Sequence, residues 1–599
     1  MIPVSATWSE DIQKIFRAQG YLRVNLEVVP PGLREGAVAT TSDSAAQSDV
    51  DTTIDGIRAT PKAYVSLESC RWLLNGQFYL QGDSVDTDDW WSTMMSAGNK
   101  KIVFEFDQTY NIPGLYIQWD VVNGTFPESI TVQGYGTDEG LLNTYQVDDI
   151  SSAVGFIETP FDKVKKVILT INSWNVDTWR CRINEVVFGL FAEYDSINNG
   201  RVTQGESYDV AKPLGDELPT HTMTVSLRNI DMEFDPLLAT GISKYLARRQ
   251  LISYQWGFTL TNGTVEWTDP LVYYINAFSV PKDSKDVKID ATSRLEFLTN
   301  DFKLDNYTGE PRTLYDIATN ILQHSGIIRN TDEEIPWELA DKLKQYTSTA
   351  YVPNDAANQS LQLIAGSVGC WLKTSPVNGF VQIADLGLET LADGNYTVDI
   401  SQQLGDPSID ITELLHTISV GVYKYVRSTE KTQISKGDYT IDKQTTLQVD
   451  YNVSAALGVT CNVSGGTLIS FVGYGTSATV VIAPSGASST VTVTLEGYEV
   501  RQSVTYVETY RDTSITQGLD IVVENPFITE INFLDPLTSW LVSWYNKRQE
   551  MEIEYLGYPE LTSGDLISLT TVYGESPNTR VLGNKLKFNG AFNGTLEVQ

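Results

Sequence analysis

Near the C-terminal end of the sequence the apolar period changes from helical to strand-like. In Asp535–Gln549, Leu537, Trp540, Leu541, Trp544 and Tyr545 recur at helical spacing and place the large apolar side chains on one stripe. Lys547 and Arg548 are expected in the last turn, where the helix dipole favours cations. The period then drops to two: Met551, Ile553 and Tyr555 alternate with Glu550, Glu552 and Glu554, the pattern of a strand with one wet face. Ser563, Gly564 and Asp565 predict a turn, and Asn589-Gly590 and Asn593-Gly594 predict two tight hairpins. Residues 525–599 therefore read as a helix feeding a small barrel or curled sheet.

Upstream, residues 8–20 predict a short amphipathic helix with Ile12, Ile15 and Phe16 on one side, followed by the alternating strand YLRVNLEVV. From 30 to 60 the chain is rich in Gly, Ala, Ser, Thr and Asp and reads as a long loop into an insertion at 60–190. Within that insertion KKIVFEFDQ, GLYIQWDVV, ESITVQGYG and VKKVILTINSW are bounded by turn residues, as in a β-sandwich. An antiparallel meander follows over 195–300. Leu314, Ile317, Ala318, Ile321 and Leu322 then mark a helix that Thr313 caps, with Asp316 three residues later. A second helix, SLQLIAGSVGCWL, runs into a hairpin turning at Asn378-Gly379, and Cys370 beside Trp371 reads as core. Residues 406–520 are strand-forming, rich in Ser, Thr, Val and Gly.

A chain of 599 residues exceeds one hydrophobic core, so several domains are expected. The net charge of −34 argues against broad binding to nucleic-acid phosphates or anionic lipid. Cys70, Cys181, Cys370 and Cys461 show no zinc or disulfide-framework spacing, although Cys70 and Cys181 could pair if one domain brings its ends together. No secretory leader pattern and no run of about 20 apolar residues is present, which predicts synthesis as a soluble cytoplasmic protein. His221, His324 and His416 each stand alone, and neither a phosphate-binding glycine loop nor a G-x-S-x-G elbow occurs. The expectation is a protein that is not an enzyme, with no catalytic and no metal-ligating residues assigned. Asp86, Asp88 and Asp89 are too easily a chance grouping among 76 acidic residues to establish a site.

Three stretches, in order, resemble the hub proteins of bacteriophage tail tips and baseplates. The first is Leu227, Asn229, Asp231, Phe234, Asp235 and Pro236, followed by Tyr245, Leu246 and Arg249. The second is the helix, spacer, helix, Trp, hairpin succession of 313–385, and the third is the turn Gly557, Pro559, Leu561, Gly564, Asp565. The insertion resembles discoidin-like (galactose-binding-like) jelly rolls through Trp90 and Trp91, the strand Ile102–Phe106, Pro127, Ser129, Ile130 and Val132, and Arg182, Ile183 and Glu185. The fold class expected is mainly β and multidomain: two tube-type β-barrels, a small α+β domain between them, and an inserted β-sandwich jelly roll. The first barrel is split over 1–59 and 191–300, the insertion covers 60–190, the α+β domain 301–405, and the second barrel 406–599 with a β-rich insertion at about 430–520, its first strand at Ile418–Val426.

The hub resemblance implies a virion component of the tail tip. It implies a homotrimer whose ring joins the tail tube or distal tail protein ring to tip or fibre proteins and closes or conducts the channel through which DNA passes. Walls that do not hold phosphates suit such a channel, which makes Glu550, Glu552 and Glu554 the candidate lining and turns Lys547 and Arg548 away from it. In the inserted domain Trp90, Trp91, Trp174, Trp179 and Arg180 supply the flat apolar faces and forked donors of sugar recognition, as for a host cell-surface glycan. Trp174 and Trp179 are preferred because they bracket one loop, whereas Trp119 reads as core; a decoration with no ligand stands equally open. No cofactor is expected, and calcium held by loop oxygens is the one cation the discoidin resemblance admits. Two other readings remain: the hub of a contractile injection particle or tail-like bacteriocin, and a glycan-active enzyme with a carbohydrate-binding module.

Overall fold

The computed structural model describes residues 1–30, 32, 33, 36–41, 54, 65, 66 and 100–599, apart from breaks at 121–123, 177–181, 214–217, 231, 235–241, 281–284, 330–333, 387–395 and 487–488. The molecule is mainly β and is built from several sheets.

The largest sheet has fourteen strands. Its path runs Ser408–Ile411, Gln549–Tyr555, Phe592–Val598, Gly574–Phe588, Val202–Val210, Thr220–Arg228, Asp286–Thr292, Leu271–Ser279, Leu251–Thr259, Gly20–Val28, Leu190–Asp195. The first four come from the C-terminal part of the chain and the rest from the N-terminal part. The sequence predicts two barrels here; the described strands instead form one open sheet. The reason is the antiparallel pairing of Val202–Val210 with Gly574–Phe588, Gly205 opposite Phe588 and Val210 opposite Gly583, which joins the two groups edge to edge. One apolar cluster serves both, with Leu22, Val225, Trp256 and Ile289 from one group and Ile553, Tyr555, Leu586 and Leu596 from the other.

The insertion leaves this sheet at Val28 and returns at Leu190, which are register partners on adjacent strands. Two long strands, Lys100–Trp119 and Val154–Trp174, dominate it and are bent by register shifts near Tyr110, Ile112 and Gly114. Such bulges let one seven-stranded sheet curl around a core of Phe104, Ile117, Trp119, Val132, Leu169 and Trp174. Ala37–Thr41, in the stretch that composition marks as loop, pairs with Lys100–Trp119, and Leu33, Ala39 and Ile54 join this core. Small residues there fit a strand edge.

The helices Leu314–His324 and Ala357–Ser367 pack with Leu534–Asn546 in a second core, which also takes the sheet of Trp337–Leu339, Val381–Ala384 and Trp371–Thr374. Thr313 Oγ1 accepts from Asp316 N at 3.0 Å, the expected cap. Leu537, Trp540 and Leu541 are buried on the predicted stripe, but Asn546 ends the helix, so Lys547 and Arg548 lie just past it and not in its last turn. Ile418–Val426 is likewise not a strand of the large sheet. It belongs to Leu415–Ile441, which pairs along its length with Ser489–Arg511 in a separate four-stranded sheet. That sheet faces the three strands Thr445–Asp450, Ser477–Pro484 and Gly466–Gly473 across a core of Ile434, Val480, Val493 and Leu495.

Asn589-Gly590 turns the final hairpin, with Gly590 at φ +100°. Asn593-Gly594 does not turn; it lies inside Phe592–Val598. A Cβ on Gly594 would stand 2.6 Å from the Lys585 carbonyl oxygen and 2.9 Å from the Tyr555 ring, so this glycine answers to close packing.

Candidate functional site

Gln549–Tyr555 sits between Ser408–Ile411 and Phe592–Val598. Met551, Ile553 and Tyr555 are buried and Glu550, Glu552 and Glu554 are exposed, which realises the alternation in the sequence. Register places Glu550 opposite Asp410 and Glu552 opposite Glu597. Directly opposed side chains share a sheet face, and like charges so placed are destabilising. Two such pairs on neighbouring ladders make an acidic face that the fold tolerates and does not require. Toward the middle of the sheet the sign becomes mixed, as Lys585 and Lys587 approach Glu206 at 3.1 and 3.8 Å. Arg548 Nε donates to the Thr412 carbonyl at 2.8 Å, while half-buried Lys547 has its pKa lowered by burial and by Arg580.

Ser563, in the predicted Gly-Asp turn, is fully buried. Its N–H and Oγ donate to the Asp209 carboxylate at 2.7 and 2.9 Å, and its carbonyl accepts from Lys373 Nζ. His221 Nδ1 lies 3.4 Å from the same carboxylate, and the imidazole stacks on Tyr273 with centroids 4.7 Å apart. Burial alone would raise the Asp209 pKa; the His221 contact, the Lys373 charge and the Ser563 N–H outweigh it and hold the carboxyl at about 2. The turn thus fastens the C-terminal strands to the N-terminal strands and to the α+β region.

The same motif anchors the first residues of the chain. Glu560 is fully buried, burial raises its pKa, and its Oε2 accepts from Trp8 Nε1 at 3.1 Å. Arg17 Nη1 donates to the carbonyls of Leu556 and Gly557 at 2.7 and 2.8 Å. Asp209, Lys373, Glu560, Trp8 and Arg17 escape sequence reasoning. The one local signal is Glu560 itself, an acid set between Pro559 and Leu561.

In the inserted domain Trp174 is 2% exposed and packs edge to face on Trp119, centroids 5.8 Å apart. This corrects its assignment to glycan binding: a ring closed into the sandwich core offers no face for a sugar. Trp90, Trp91, Trp179 and Arg180 lie outside the described residues, as do Cys70, Cys181, Asp86, Asp88 and Asp89. Cys370 is buried, and burial pushes its thiol up to about 12, as expected of a core cysteine. His324 Nδ1 faces the Asn320 carbonyl at 2.9 Å, and His416 Nδ1 faces Asp520 at 2.9 Å, so the structure brings none of the three histidines together. Among the described residues no group of three or more His, Cys, Asp and Glu is arranged to hold a metal ion.

No protein-family model matches the chain, and neither does any curated protein. Among solved structures it is similar to the 43 kDa tail protein of prophage MuSo2 from Shewanella oneidensis, at 10% identity and a TM-score of 0.34, covering 68% of this chain and 95% of that one. It is also similar to prophage tail protein gp18 from Listeria monocytogenes EGD-e, at 11% identity and a TM-score of 0.34, covering 68% and 91%. A likeness to the arabinofuranosyltransferase AftD from Mycobacteria, at 13% identity and a TM-score of 0.16, covers 46% of this chain and 19% of that one.

Proposed function

We propose that the chain is a structural protein of a phage tail and acts as the hub of its tip. Three copies form a ring that joins the tail tube to tip or fibre proteins and conducts DNA past Glu550, Glu552 and Glu554. The observation that carries this reading is the edge-to-edge union of two strand groups across Val202–Val210 and Gly574–Phe588. Two side-by-side groups per chain give six in a trimer, which matches a hexameric tube on one side and a three-fold tip on the other. Of the three hub-like stretches, one includes the turn in which Phe234 N donates to Asn229, one spans the two-helix region of the second core, and one forms the Ser563 anchor.

The test is the mass and shape of the full chain in solution and in negative stain. A three-fold ring is the expected result. A 66.5 kDa monomer at tens of micromolar, with no ring when tube and tip proteins are added, overturns the proposal.

A further inference from the structure

Three stretches distant in sequence meet at one end of the C-terminal strands. Gln402 Nε2 donates to the Gln13 carbonyl, and Thr397 N donates to Gln13 Oε1 at 3.3 Å. Gln403 Nε2 donates to the Thr570 carbonyl at 2.7 Å, and Leu404 N to the Glu554 carbonyl at 2.8 Å. Thr397 and Val398 run parallel to Ser568 and Leu569. Each stretch is therefore held by hydrogen bonds to another.

From this fixed frame large apolar side chains stand in solvent: Phe16 is 95% exposed, Tyr573 71%, Ile15 and Leu404 54%, Val572 52% and Ile400 48%. These six are carried by the three stretches that the hydrogen bonds join, and exposed apolar side chains on adjoining stretches point to an interaction site where single ones do not. Their surroundings are acidic. The sequence has no Lys or Arg from 374 to 423 or from 549 to 579, the two stretches that supply most of the frame. Glu10, Asp399, Asp406 and Glu575 are exposed. The nearby cations are already engaged, Lys14 with Asp11 and Arg17 with the Leu556 and Gly557 carbonyls.

We propose that this end is a docking surface for a different protein, one that presents apolar side chains inside a rim of Lys and Arg. Charge complementarity selects that occupant, since buried apolar area gives adhesion and opposite rim charge gives orientation and rate. A second copy seated here through the same surface would set one acidic rim against another and is disfavoured as the occupant. The surface goes beyond the tail reading and does not depend on it.

The probe is a labelled synthetic peptide alternating Leu and Lys, with a Leu and Glu peptide as control, titrated against the full chain by fluorescence anisotropy. The expected result is binding of the Leu and Lys peptide only, weakened at least tenfold by Phe16→Ser with Tyr573→Ser, a pair that leaves the net charge unchanged. Equal binding by this variant overturns the docking surface, and equal binding of the Leu and Glu peptide overturns the basic partner. If the pair fails to fold, Asp399→Asn with Asp406→Asn and Glu575→Gln must weaken binding instead, and unchanged affinity then overturns the proposal. Sedimentation of the full chain supplies the last arm: self-association that the apolar variant abolishes assigns a second copy and overturns the stated occupant.

Discussion

The fourteen-stranded sheet and the inserted sandwich are both antiparallel β, yet they are held together in opposite ways. The sandwich core draws on one stretch of chain, from Leu33 to Phe188. The large sheet draws its core from residues as far apart as Ile2 and Val598, and buried carboxylates, Asp209 and Glu560, tie its N-terminal and C-terminal parts together. The first is local in sequence. The second is complete only when the two ends of the chain meet, so it depends on slow, long-range pairing.

Loss of Trp174 is expected to break this contrast most strongly. Trp174→Ala empties a closed site beside Trp119 and costs about 3–5 kcal/mol. The loss should fall on the sandwich alone, so calorimetry is expected to show one early transition with the remainder unmoved. Asp209→Ala makes the complementary test. Removing one partner of a buried charged cluster costs about 3 kcal/mol or more, and here every transition outside the sandwich should shift downward together. Acid acts on the same carboxylate more gently. Its folded pKa lies below the unfolded value of about 3.9, so its contribution is present above that value and fades as pH falls toward about 2. Thermal scans between pH 5 and 2 should show the large sheet losing stability before the sandwich. Gly594→Ala drives a methyl into the Lys585 carbonyl and Tyr555 ring, an overpacking worth about 1–3 kcal/mol in the C-terminal strands. The smallest stability effect belongs to Glu552→Lys, which sets a cation opposite Glu597 and stays within about 0.5 kcal/mol. Under the proposed channel its expected consequence is slower DNA release from assembled particles, measured by dye uptake, and unchanged release removes this glutamate from the proposed lining.

Periodicity made the alternation of Glu550 to Tyr555 and the Leu537 stripe legible in the sequence, because each depends only on neighbours along the chain. Pairing partners were not legible. Nothing local to Val202–Val210 or Gly574–Phe588 says that one is the other's neighbour, so two barrels were expected where one open sheet stands. Asn593-Gly594 has the composition of a turn, and only the Tyr555 ring and Lys585 carbonyl above it explain a glycine there. Trp174 failed for a related reason. A tryptophan at the end of a strand serves a core or a ligand equally well by sequence, and its neighbour Trp119 decides between them. The Asp209 cluster joins residues hundreds of positions apart, which no motif spacing encodes.

The insertion's two ends, Val28 and Leu190, are direct partners across a strand pair. To the large sheet, everything from 29 to 189 is a connection no wider than the gap between adjacent strands, about 5 Å. A junction of that geometry behaves as a socket. A different domain with its termini as close could replace this one by recombination at two points, without altering the register of any strand around it. Such an exchange would give up side-chain contacts such as the Asp162–Lys244 ion pair at 2.9 Å.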